Sequence, residues 1–382
     1  MVAQTASASA AGTPQPVAGI PFPIGSRQMS RVSFDTGVVT AQAAATQQIS
    51  PIQLPATGYL RHIDLEVIVT GTAGTAPAFT ADAPFNCLAN VEFKTASGND
   101  IIVPLTGYQL YLRNKYCANW AVAPYSDNKL SRQYSAVPGV GPTAHFFTQL
   151  SFEIDADTGL GCIPATASNR SYQLLITLAA ISTFLTGAPG VTVQIKGTAW
   201  YWSVPPAAAA NGSPQETEPP SLGTLTQVQL EMPAVTPGDK LIKFNNVGNV
   251  IRTLIFTLRN VSGARIDASG WPAAFELYLD NEPMFYLTQN EWEDAMVKAY
   301  GFTAAAKDVA QGLDTGVYVI PFHNLFGNNI AGIEGNSRSQ YLATVDASQL
   351  QGRFTSFGAN ASTLEIITES VIPEDASVLY AK

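Results

Sequence analysis

The chain repeats part of its own sequence on either side of a proline-rich segment, and this duplication limits its fold more than any other feature. Leu60–Ile63 matches Ile251–Leu254, and their residue numbers differ by 251 − 60 = 191. Val91–Phe93 then matches Phe275–Leu277, where the difference is 275 − 91 = 184. Ordered matches at similar separations are the signature of a repeated structural unit. The sequence therefore predicts two related modules in tandem.

The most specific match between the two halves marks the start of a helix. Thr106 is followed by Gln109, and Thr288 is followed by Glu291 at the same spacing. This spacing permits the reciprocal hydrogen bonds of a capping box. Apolar residues also occupy the flanking staple positions, which are Leu105 with Leu110 and Leu287 with Trp292. We predict one short helix at the same place in each module, with a difference in residue number of 288 − 106 = 182.

A fourth match pairs Tyr172–Ile176 with Tyr341–Val345, where the difference in residue number is 341 − 172 = 169. Along the chain the separation of matched segments thus falls steadily from 191 to 169. We interpret this fall as the result of longer loops in the first module.

Apolar and polar residues alternate along several short segments. In one of them the apolar positions are Ile63, Leu65, Val67 and Val69, and the polar positions between them are His62, Asp64 and Glu66. The same alternation occurs in 146–154 and 191–196. A period of two, interrupted by loops rich in Gly, Pro and Asn, is typical of antiparallel sheets with one buried face. We therefore predict an all-β protein.

Changes in composition divide the chain into four parts. The predicted parts are an N-terminal arm at 1–27, a first module at 28–204, a linker at 205–222 and a second module at 223–382. The arm has no periodicity, so we expect it to order only against a partner. The linker is rich in proline and has little to bury.

Charges are scarce in this sequence. Only 13% of the residues are charged, against about 25% in a typical soluble domain. Such a surface suits a protein whose flanks are covered by neighbouring subunits, although a charge-poor globular protein is the alternative. The net charge is −9 and no basic run occurs, so we expect no sequence-specific binding to nucleic acid.

Several other classes of site and segment are not indicated. The spacing of Cys87, Cys117 and Cys162 fits neither a disulfide framework nor a zinc site, so we expect no metal and no cofactor. The first residues lack the pattern of a secretion signal, and no apolar stretch is long enough to cross a bilayer. We therefore expect a soluble protein that is made in the cytoplasm and is not exported by a standard route.

Three Asp-Thr-Gly triplets begin at Asp35, Asp157 and Asp314, and they raise the alternative of a two-lobed aspartic protease. In that class a Ser or Thr follows the triplet, whereas Val38, Leu160 or Val317 follows it here. Asp two residues before Gly is also ordinary turn chemistry, because the Asp side chain caps the turn and Gly takes a positive φ. We therefore favour turns, and we predict no catalytic residues.

Other chemically interesting residues are assigned structural roles. The histidines His62, His145 and His323 are far apart, and Asn169, Asn211, Asn260 and Asn360 lie in glycosylation-acceptor triplets that we interpret as ordinary surface positions. Trp200, Tyr201 and Trp202 could form a sugar-binding platform. We expect them instead to close the core of the first module and to pack against the second. A carbohydrate-binding double β-sandwich at a cell surface therefore stays the second functional alternative.

Taken together, these segments resemble one known family. About eight short strands in each half, a capped helix between strands, a proline-rich linker and a loose N-terminal arm are similar to the double jelly-roll major capsid proteins of tectivirus-like, membrane-containing bacterial viruses. The segments that carry the resemblance are Gly58–Val69, Asn86–Tyr116 and Gly316–Tyr318. The resemblance implies two tandem eight-stranded jelly rolls, each with an inserted short helix, and a structural role without enzymatic activity.

The resemblance also implies how such a subunit assembles. Three subunits would form a pseudo-hexagonal homotrimer that tiles an icosahedral shell, with contacts between trimers and to minor capsid or vertex proteins. The virion would be assembled in the host cytoplasm over an internal membrane. Segments 121–142 and 303–315 are candidates for tower loops or clamps between subunits.

Two arginines are the only predicted interaction residues. Arg27, Arg31 and Asp35 are the only charged residues among the first 40. This slight positive bias, with the inward-facing arm that the resemblance implies, suggests that Arg27 and Arg31 meet the internal membrane or the base of a neighbouring trimer. An uncharged tail with no partner is the alternative.

Overall fold

A computed structural model gives the fold of the chain. It describes residues 19–74, 76–95, 97–117, 132–156, 158–166, 172–187, 190–219, 225–266, 270–300, 316–322 and 341–372. Strands dominate this part of the chain. No helix among the described residues is long and apolar enough to cross a bilayer.

The first half of the chain forms a series of strands with short helices between them. The strands are β1 Gln28–Thr40, β2 Gln47–Gln48, β3 Ile52–Leu54, β4 Tyr59–Gly71, β5 Ala78–Phe79, β6 Leu88–Thr95, β7 Asp100–Leu105, β8 Arg132–Ser135, β9 Thr143–Ser151, β10 Ile163–Pro164, β11 Tyr172–Leu178, β12 Leu185–Thr186 and β13 Val191–Trp202. The helices are α1 Phe22–Gly25, α2 Gly107–Cys117 and α3 Ile181–Phe184, with a single 3-10 turn at Phe85–Cys87.

These strands form two facing antiparallel sheets. Strands β1, β13, β4 and β9 lie side by side in that order, and β8 extends the sheet beyond β9. We call this the front sheet of the first module. The back sheet has the order β2 with β3, then β11, β6 and β7. Helix α2 connects the back sheet to the front sheet, because it follows β7 and precedes β8 and β9.

The second half repeats this arrangement. Its elements are β14 Leu225–Glu231, β15 Gly238–Phe244, β16 Val250–Arg259, β17 Ala274–Leu279, β18 Glu282–Thr288, α4 Gln289–Tyr300, β19 Val317–Pro321, β20 Leu342–Ala343, β21 Leu350–Phe357 and β22 Thr363–Ile372. The front sheet of the second module has the order β14, β22, β16, β19, and its back sheet has the order β15, β21, β17, β18. In each half the first strand therefore pairs with the last, and a helix follows the edge strand of the back sheet.

The core of each module lies between its front and back sheets. Ile63, Leu65 and Val67 of β4 are fully buried in the first module. Leu254 and Phe256 hold the equivalent inward positions of β16 and are also fully buried. Burial of apolar surface is the main stabilising contribution to such a core, at about 25 cal/mol per Å². The alternation predicted for β4 is thus confirmed, and the inward positions of β16 coincide with those of β4 as the repeat predicts.

The two modules are joined along one sheet edge and one helix. Strand β7 pairs in parallel with β14, with Ile102 opposite Val228, so the back sheet of the first module continues into the front sheet of the second. Helix α2 lies between the modules and contacts β6 and β9 on one side and β16 and β22 on the other. All of its residues are buried. We call this contact of α2 and β7 with the second front sheet the seam.

Both predicted capping boxes are present. The amide of Gln109 donates to Thr106 Oγ1 (3.2 Å), and the amide of Thr106 donates to Gln109 Oε1 (2.9 Å). In the second module the amide of Glu291 donates to Thr288 Oγ1 (3.3 Å), and the amide of Thr288 donates to Glu291 Oε2 (2.9 Å). The local sequence thus starts the helix in the same way in both modules, as predicted.

The fourth sequence match is wrong. Strand β11 occupies the position of β21, not of the segment at 341–345, because each pairs with the equivalent strand, β6 or β17. The segment at 341–345 contributes β20, which pairs with β16 as β10 pairs with β4. The separation also fails to fall steadily. Strands β9 and β19 pair with equivalent positions of β4 and β16, and their separation is 320 − 150 = 170. For β10 and β20, which come later in the chain, the separation rises again to 342 − 163 = 179. Short apolar segments match too easily to identify a strand without its pairing partner.

The N-terminal arm and the linker are in part packed against the chain itself. Ile20 bridges to Gln215 of the linker, and Phe22 is fully buried. The expectation that the arm orders only against a partner is therefore wrong for residues 19–27, and residues 1–18 lie outside the described part. The proposed tower segments also lie mostly outside it, except that part of 121–142 forms β8 and the loop that follows it.

Candidate assembly surfaces

The seam contains a buried cluster of charged side chains. Glu369 of β22 accepts hydrogen bonds from Arg113 of α2 (Nε to Oε2, 3.1 Å) and from Arg252 of β16 (Nη1 to Oε1, 2.9 Å). All three side chains are buried. A buried charge that loses its partner is strongly destabilising. The cluster therefore holds the two modules in one relative orientation.

The electrostatic environment keeps this cluster ionic. Burial alone would raise the pKa of the Glu369 carboxyl, but the positive charges of Arg113 and Arg252 outweigh burial and leave that pKa below its usual value. Glu369 is therefore a carboxylate at neutral pH. Cys117 lies beside the cluster, and burial raises the pKa of its thiol well above the usual value.

A second group of ion pairs closes the other end of the seam. Asp82 of the first module pairs with Arg259 (Nη1 to Oδ2, 2.7 Å) and Arg265 (Nε to Oδ1, 2.6 Å) of the second. Arg259 also pairs with Glu365 on β22, with Nε 2.8 Å from Oε1. Both guanidinium groups lie over the ring of Tyr108 from α2, at 5.6 and 4.9 Å from its centre. The modules are therefore joined by specific polar contacts and not by apolar area alone.

The N-terminal segment is anchored at one end of the first module. The ring of Phe22 packs edge-to-face on Tyr59 (5.2 Å between ring centres) and on Trp202 (6.3 Å). The amide of Phe22 donates to Glu216 Oε2 of the linker (2.9 Å), and the amide of Ile20 donates to the carbonyl of Pro214 (2.9 Å). We call this group of contacts the N-terminal anchor. It fixes residues 20–22 against the linker and the first module.

A buried ion pair contacts the Trp202 ring of this anchor. Arg61 pairs with Glu153 (Nη2 to Oε2, 2.6 Å), and its guanidinium stacks 4.3 Å above the centre of the Trp202 ring. Trp202 Nε1 donates to the other oxygen of Glu153 (2.6 Å). Arg61, Glu153 and Trp202 therefore hold one another in place beneath the ring of Phe22.

The outer face of the first front sheet is polar and aromatic. Glu66 is hydrogen-bonded to His145 (2.8 Å) and lies 3.9 Å from Lys196 Nζ. Asp64 accepts a hydrogen bond from the indole of Trp200 (2.8 Å). Phe147, next to this group on β9, is exposed. No other described element covers this face, so it is a candidate surface for another subunit.

The back sheet of the second module ends in an edge strand. Within the described part of the chain, β18 is the last strand of its sheet, and Met284 and Tyr286 are exposed on it. Helix α4 follows immediately and exposes Asn290, Glu291 and Asp294. A strand edge without a partner is normally protected or used for association. This side is therefore a second candidate surface.

The two predicted interaction residues lie near one end of β1. Arg27 is exposed, and its backbone exchanges hydrogen bonds with Ser203, with its amide 2.8 Å from Ser203 Oγ and its carbonyl 2.8 Å from the amide of Ser203. Arg31 lies at a bulge in β1 between Ser30 and Val32. Whether either arginine meets a membrane or another subunit stays a prediction.

The residues considered for catalysis are dispersed. Asp35 caps a turn, because its Oδ1 accepts the amide of Gly37 (2.8 Å) and Gly37 has a positive φ of 66°. This confirms the turn interpretation for the first triplet. Asp157 and Asp314 lie outside the described residues, as do His323 and Asn169. Asn211 and Asn260 accept backbone amides within turns.

The three neighbouring aromatic residues do not form a platform. Tyr201 is fully buried in the core of the first module, as predicted, and Trp202 is buried in the N-terminal anchor. Only Trp200 reaches the outer face, where it is bound to Asp64. The expectation that Trp202 packs against the second module is corrected, because its contacts are with Phe22 and Arg61. A sugar-binding surface of three rings is therefore ruled out by their orientation.

The comparisons with known proteins agree with this architecture. No protein-family model and no curated protein sequence matches the chain. Among solved structures, VP54 of the virus PBCV-1 superposes with a TM-score of 0.62 and 12% identity, over 91% of this chain and 94% of that one. The STIV major capsid protein, from Sulfolobus turreted icosahedral virus, superposes with a TM-score of 0.59 and 14% identity, over 92% of this chain and all of that one.

A third structure extends the range of viruses. The Faustovirus major capsid protein superposes with a TM-score of 0.51 and 9% identity, over 96% of this chain and 92% of that one. These likenesses cover both modules and their connection. The chain has the double jelly-roll fold. The fold class predicted from the sequence, two tandem jelly rolls each with an inserted helix, is thereby confirmed.

The seam of this double jelly roll was not predicted from the sequence. Its members Arg113 and Glu369 are 256 residues apart, and no local pattern connects them. One signal was available. Residues 250–258 have apolar side chains on both faces of the predicted strand, which is typical of a strand covered on both sides. That signal identifies a doubly covered sheet but not the helix that covers it.

Proposed function

We propose that this double jelly roll is the structural subunit of a virus capsid, and that it has no enzymatic role. The observation that carries the proposal is the rigid union of two jelly rolls through a buried ionic seam, in a fold shared with viral major capsid proteins along nearly the whole chain. A capsid subunit must keep its shape while it is packed against copies of itself. Two cores locked in one orientation meet that requirement.

We further propose that three subunits associate into a pseudo-hexagonal trimer that tiles an icosahedral shell. Two equivalent jelly rolls in each subunit give six similar blocks per trimer, so three-fold symmetry produces a nearly hexagonal outline. The low content of charged residues favours flanks that are buried in an assembly. Minor capsid or vertex proteins would then complete the shell.

The N-terminal anchor gives the arm a defined starting point. Because Phe22 is fixed and Arg27 is exposed, we propose that the arm lies on the inner side of the shell, with Arg27 and Arg31 near an internal membrane. Reversing both charges should reduce the lipid content of assembled particles. Unchanged lipid content and unchanged assembly would contradict this role. We propose that the protein is located in the virion and that the virion is assembled in the cytoplasm of the host. The proposed host is a bacterium.

The solution mass of the purified protein tests the trimer. We expect light scattering on a sizing column to give a mass near three times the 40.5 kDa of one chain, and negative-stain images to show a hexagonal outline. A species that stays monomeric at high concentration would contradict the proposal.

A further inference from the structure

The seam joins two different kinds of surface. One is the helix side of the first jelly roll, formed by β7 and α2, and the other is the outer face of the front sheet of the second. Since the jelly rolls are equivalent, the second one also has a helix side, formed by β18 and α4. The first also has a front sheet, formed by β1, β13, β4 and β9. Among the described residues, neither of these two surfaces is covered by another element.

The sheet edges are free at the equivalent places. In the seam, the edge strand β7 pairs with the edge strand β14. Their equivalents are β18 and β1, and each is the last strand of its sheet in the described part of the chain. Ile102 of the seam pairs with Phe93, and Phe285 pairs with the equivalent Leu277. Ile102 therefore corresponds to Phe285, which lies next to the exposed Met284 on β18. Val228 corresponds to Ser30 through their strand partners, because Val228 pairs with Glu369 and Ser30 pairs with Trp200. Glu369 and Trp200 are equivalent, since their difference of 369 − 200 = 169 equals that of the neighbouring equivalent residues Thr368 and Ala199.

We propose that the helix side of the second jelly roll in one copy docks on the front sheet of the first jelly roll in the next copy, as a repeat of the seam between molecules. This inference rests on the proposed capsid function and names the surfaces through which its subunits meet. Each copy would use one surface of each kind. Such a head-to-tail contact forms a closed ring when the rotation between copies permits it.

The side chains at the equivalent positions fit a contact between separate molecules. Arg113 of the seam corresponds to Ala295 of α4, and Glu369 corresponds to Trp200. The buried ion pair of the seam is thus replaced by a small residue opposite a large aromatic one. Arg259, which forms the other ion pairs, corresponds to Ile68, because 259 − 191 = 68. Replacing these buried ion pairs with Ala295, Trp200 and Ile68 avoids the desolvation cost of those pairs at each association, and tryptophan is a preferred anchor of protein interfaces.

The charged groups around this anchor have both signs. Helix α4 brings Glu291 and Asp294 to its exposed side. The front sheet carries Lys196, His62 and His145, and its carboxylates Asp64 and Glu66 already have partners within the sheet. Lys196 is 45% exposed and lies 3.9 Å from Glu66, so in the proposed contact it would lie between Glu66 and the acidic helix.

Matched variants test the proposed contact. Met284 and Leu241 are both exposed apolar residues on strands of one sheet, at 44% and 60% exposure, but they lie on its opposite edges β18 and β15. We expect Met284→Arg on the helix side and Trp200→Ala on the sheet side each to weaken association about 30-fold or more. Leu241→Arg should assemble as the wild type does. Thermal unfolding of each variant confirms that its subunit is folded.

Mixing the two defective variants tests the head-to-tail geometry. Met284→Arg retains an intact sheet side, and Trp200→Ala retains an intact helix side. Their mixture should therefore give a dimer, with a mass near two times 40.5 kDa, that cannot grow. Absence of this dimer, or unimpaired assembly of both variants, would overturn the proposed interface. If the wild type still assembles in that case, the proposed capsid function is not contradicted. A monomeric wild type would overturn the capsid function itself.

Discussion

The two front sheets have the same strand order but different outer faces. In β4 of the first jelly roll, His62, Asp64 and Glu66 point outward and are half-buried, whereas the equivalent Thr253, Ile255 and Thr257 of β16 are completely buried. The reason is the seam, which places α2 on the second front sheet and leaves the first one open. A strand at one position of a fold thus alternates, or is apolar throughout, according to what covers it.

The two inserted helices differ in the same way. Helix α2 is buried along its whole length between two jelly rolls, whereas α4 buries Trp292 and Met296 and exposes its acidic side. Both start with the same capping box. The difference between them therefore arises from their surroundings and not from their start signals.

One arginine position links the two ends of the molecule. Arg61 lies at a bulge between β4 and β13, and Arg252 lies at a bulge between β16 and β22. Their residue numbers differ by 252 − 61 = 191, the separation of the matched positions of β4 and β16. Arg61 pairs with Glu153 at the N-terminal anchor, and Arg252 pairs with Glu369 in the seam. Duplication has kept the bulge and the cation, and each module has recruited its own carboxylate.

The most severe way to break this comparison is to remove the carboxylate of the seam. Glu369→Ala leaves Arg113 and Arg252 buried without their partner, so we expect the free energy of unfolding to fall by about 3–5 kcal/mol. Urea unfolding measures the change. As the control, Glu276→Ala removes a carboxylate that pairs at 3.6 Å with the half-exposed Arg353, and it should cost about 1 kcal/mol or less. Equal effects of the two changes would show that the seam is not an energetic centre.

The N-terminal anchor is the counterpart of the seam in the first jelly roll. Phe22→Ala removes a fully buried ring, and we expect a loss of about 3 kcal/mol together with faster proteolysis of residues 19–27. Ile24→Ala changes a residue of the same helical turn that is 75% exposed, so it should have little effect. If both variants are cut at the wild-type rate, the anchor does not hold the segment in solution.

The seam also makes stability depend on pH in one direction. Because the pKa of Glu369 is lower in the folded protein than its usual value, its contribution is complete above that usual value. It is lost as the pH falls through the lowered pKa. We expect the acid limb of a plot of unfolding free energy against pH to become shallower in Glu369→Gln. An acid limb that keeps its slope would assign the dependence to other carboxyl groups.

The smallest expected effects come from the two capping boxes. Thr106→Ala and Thr288→Ala each remove the hydroxyl oxygen that accepts the capping hydrogen bond, and each should cost about 0.5–2 kcal/mol. The loss should be larger for Thr106, because its helix is buried and water cannot replace the bond. Serine at either position retains the hydroxyl group and serves as the control. Equal losses at both sites would mean that burial of α2 does not raise the value of its cap.

Local signals in the sequence predicted the parts of this fold that depend on near neighbours. Alternation identified the inward faces of β4, β9 and β13, and the Thr106 and Thr288 motifs located both long helices. The resemblance to double jelly rolls supplied the global arrangement. The seam could not be predicted, because the contact of Arg113 with Glu369 depends on how two finished modules meet. The match of Tyr172 to Tyr341 was wrong for the same reason, since only pairing partners distinguish β11 from β10.

The doubly covered front sheet has a consequence for biosynthesis. The first jelly roll has a polar outer face on its front sheet, so that sheet can form while the rest of the chain is still being made. The second would expose Ile255 and Ile367, which point toward α2, if it folded without the first. Domains generally fold from the N-terminus as they emerge from the ribosome. The order of the two jelly rolls along the chain therefore means that α2 is made before the apolar outer face of the second front sheet that it covers. We expect the isolated second half to aggregate and the isolated first half to stay in solution.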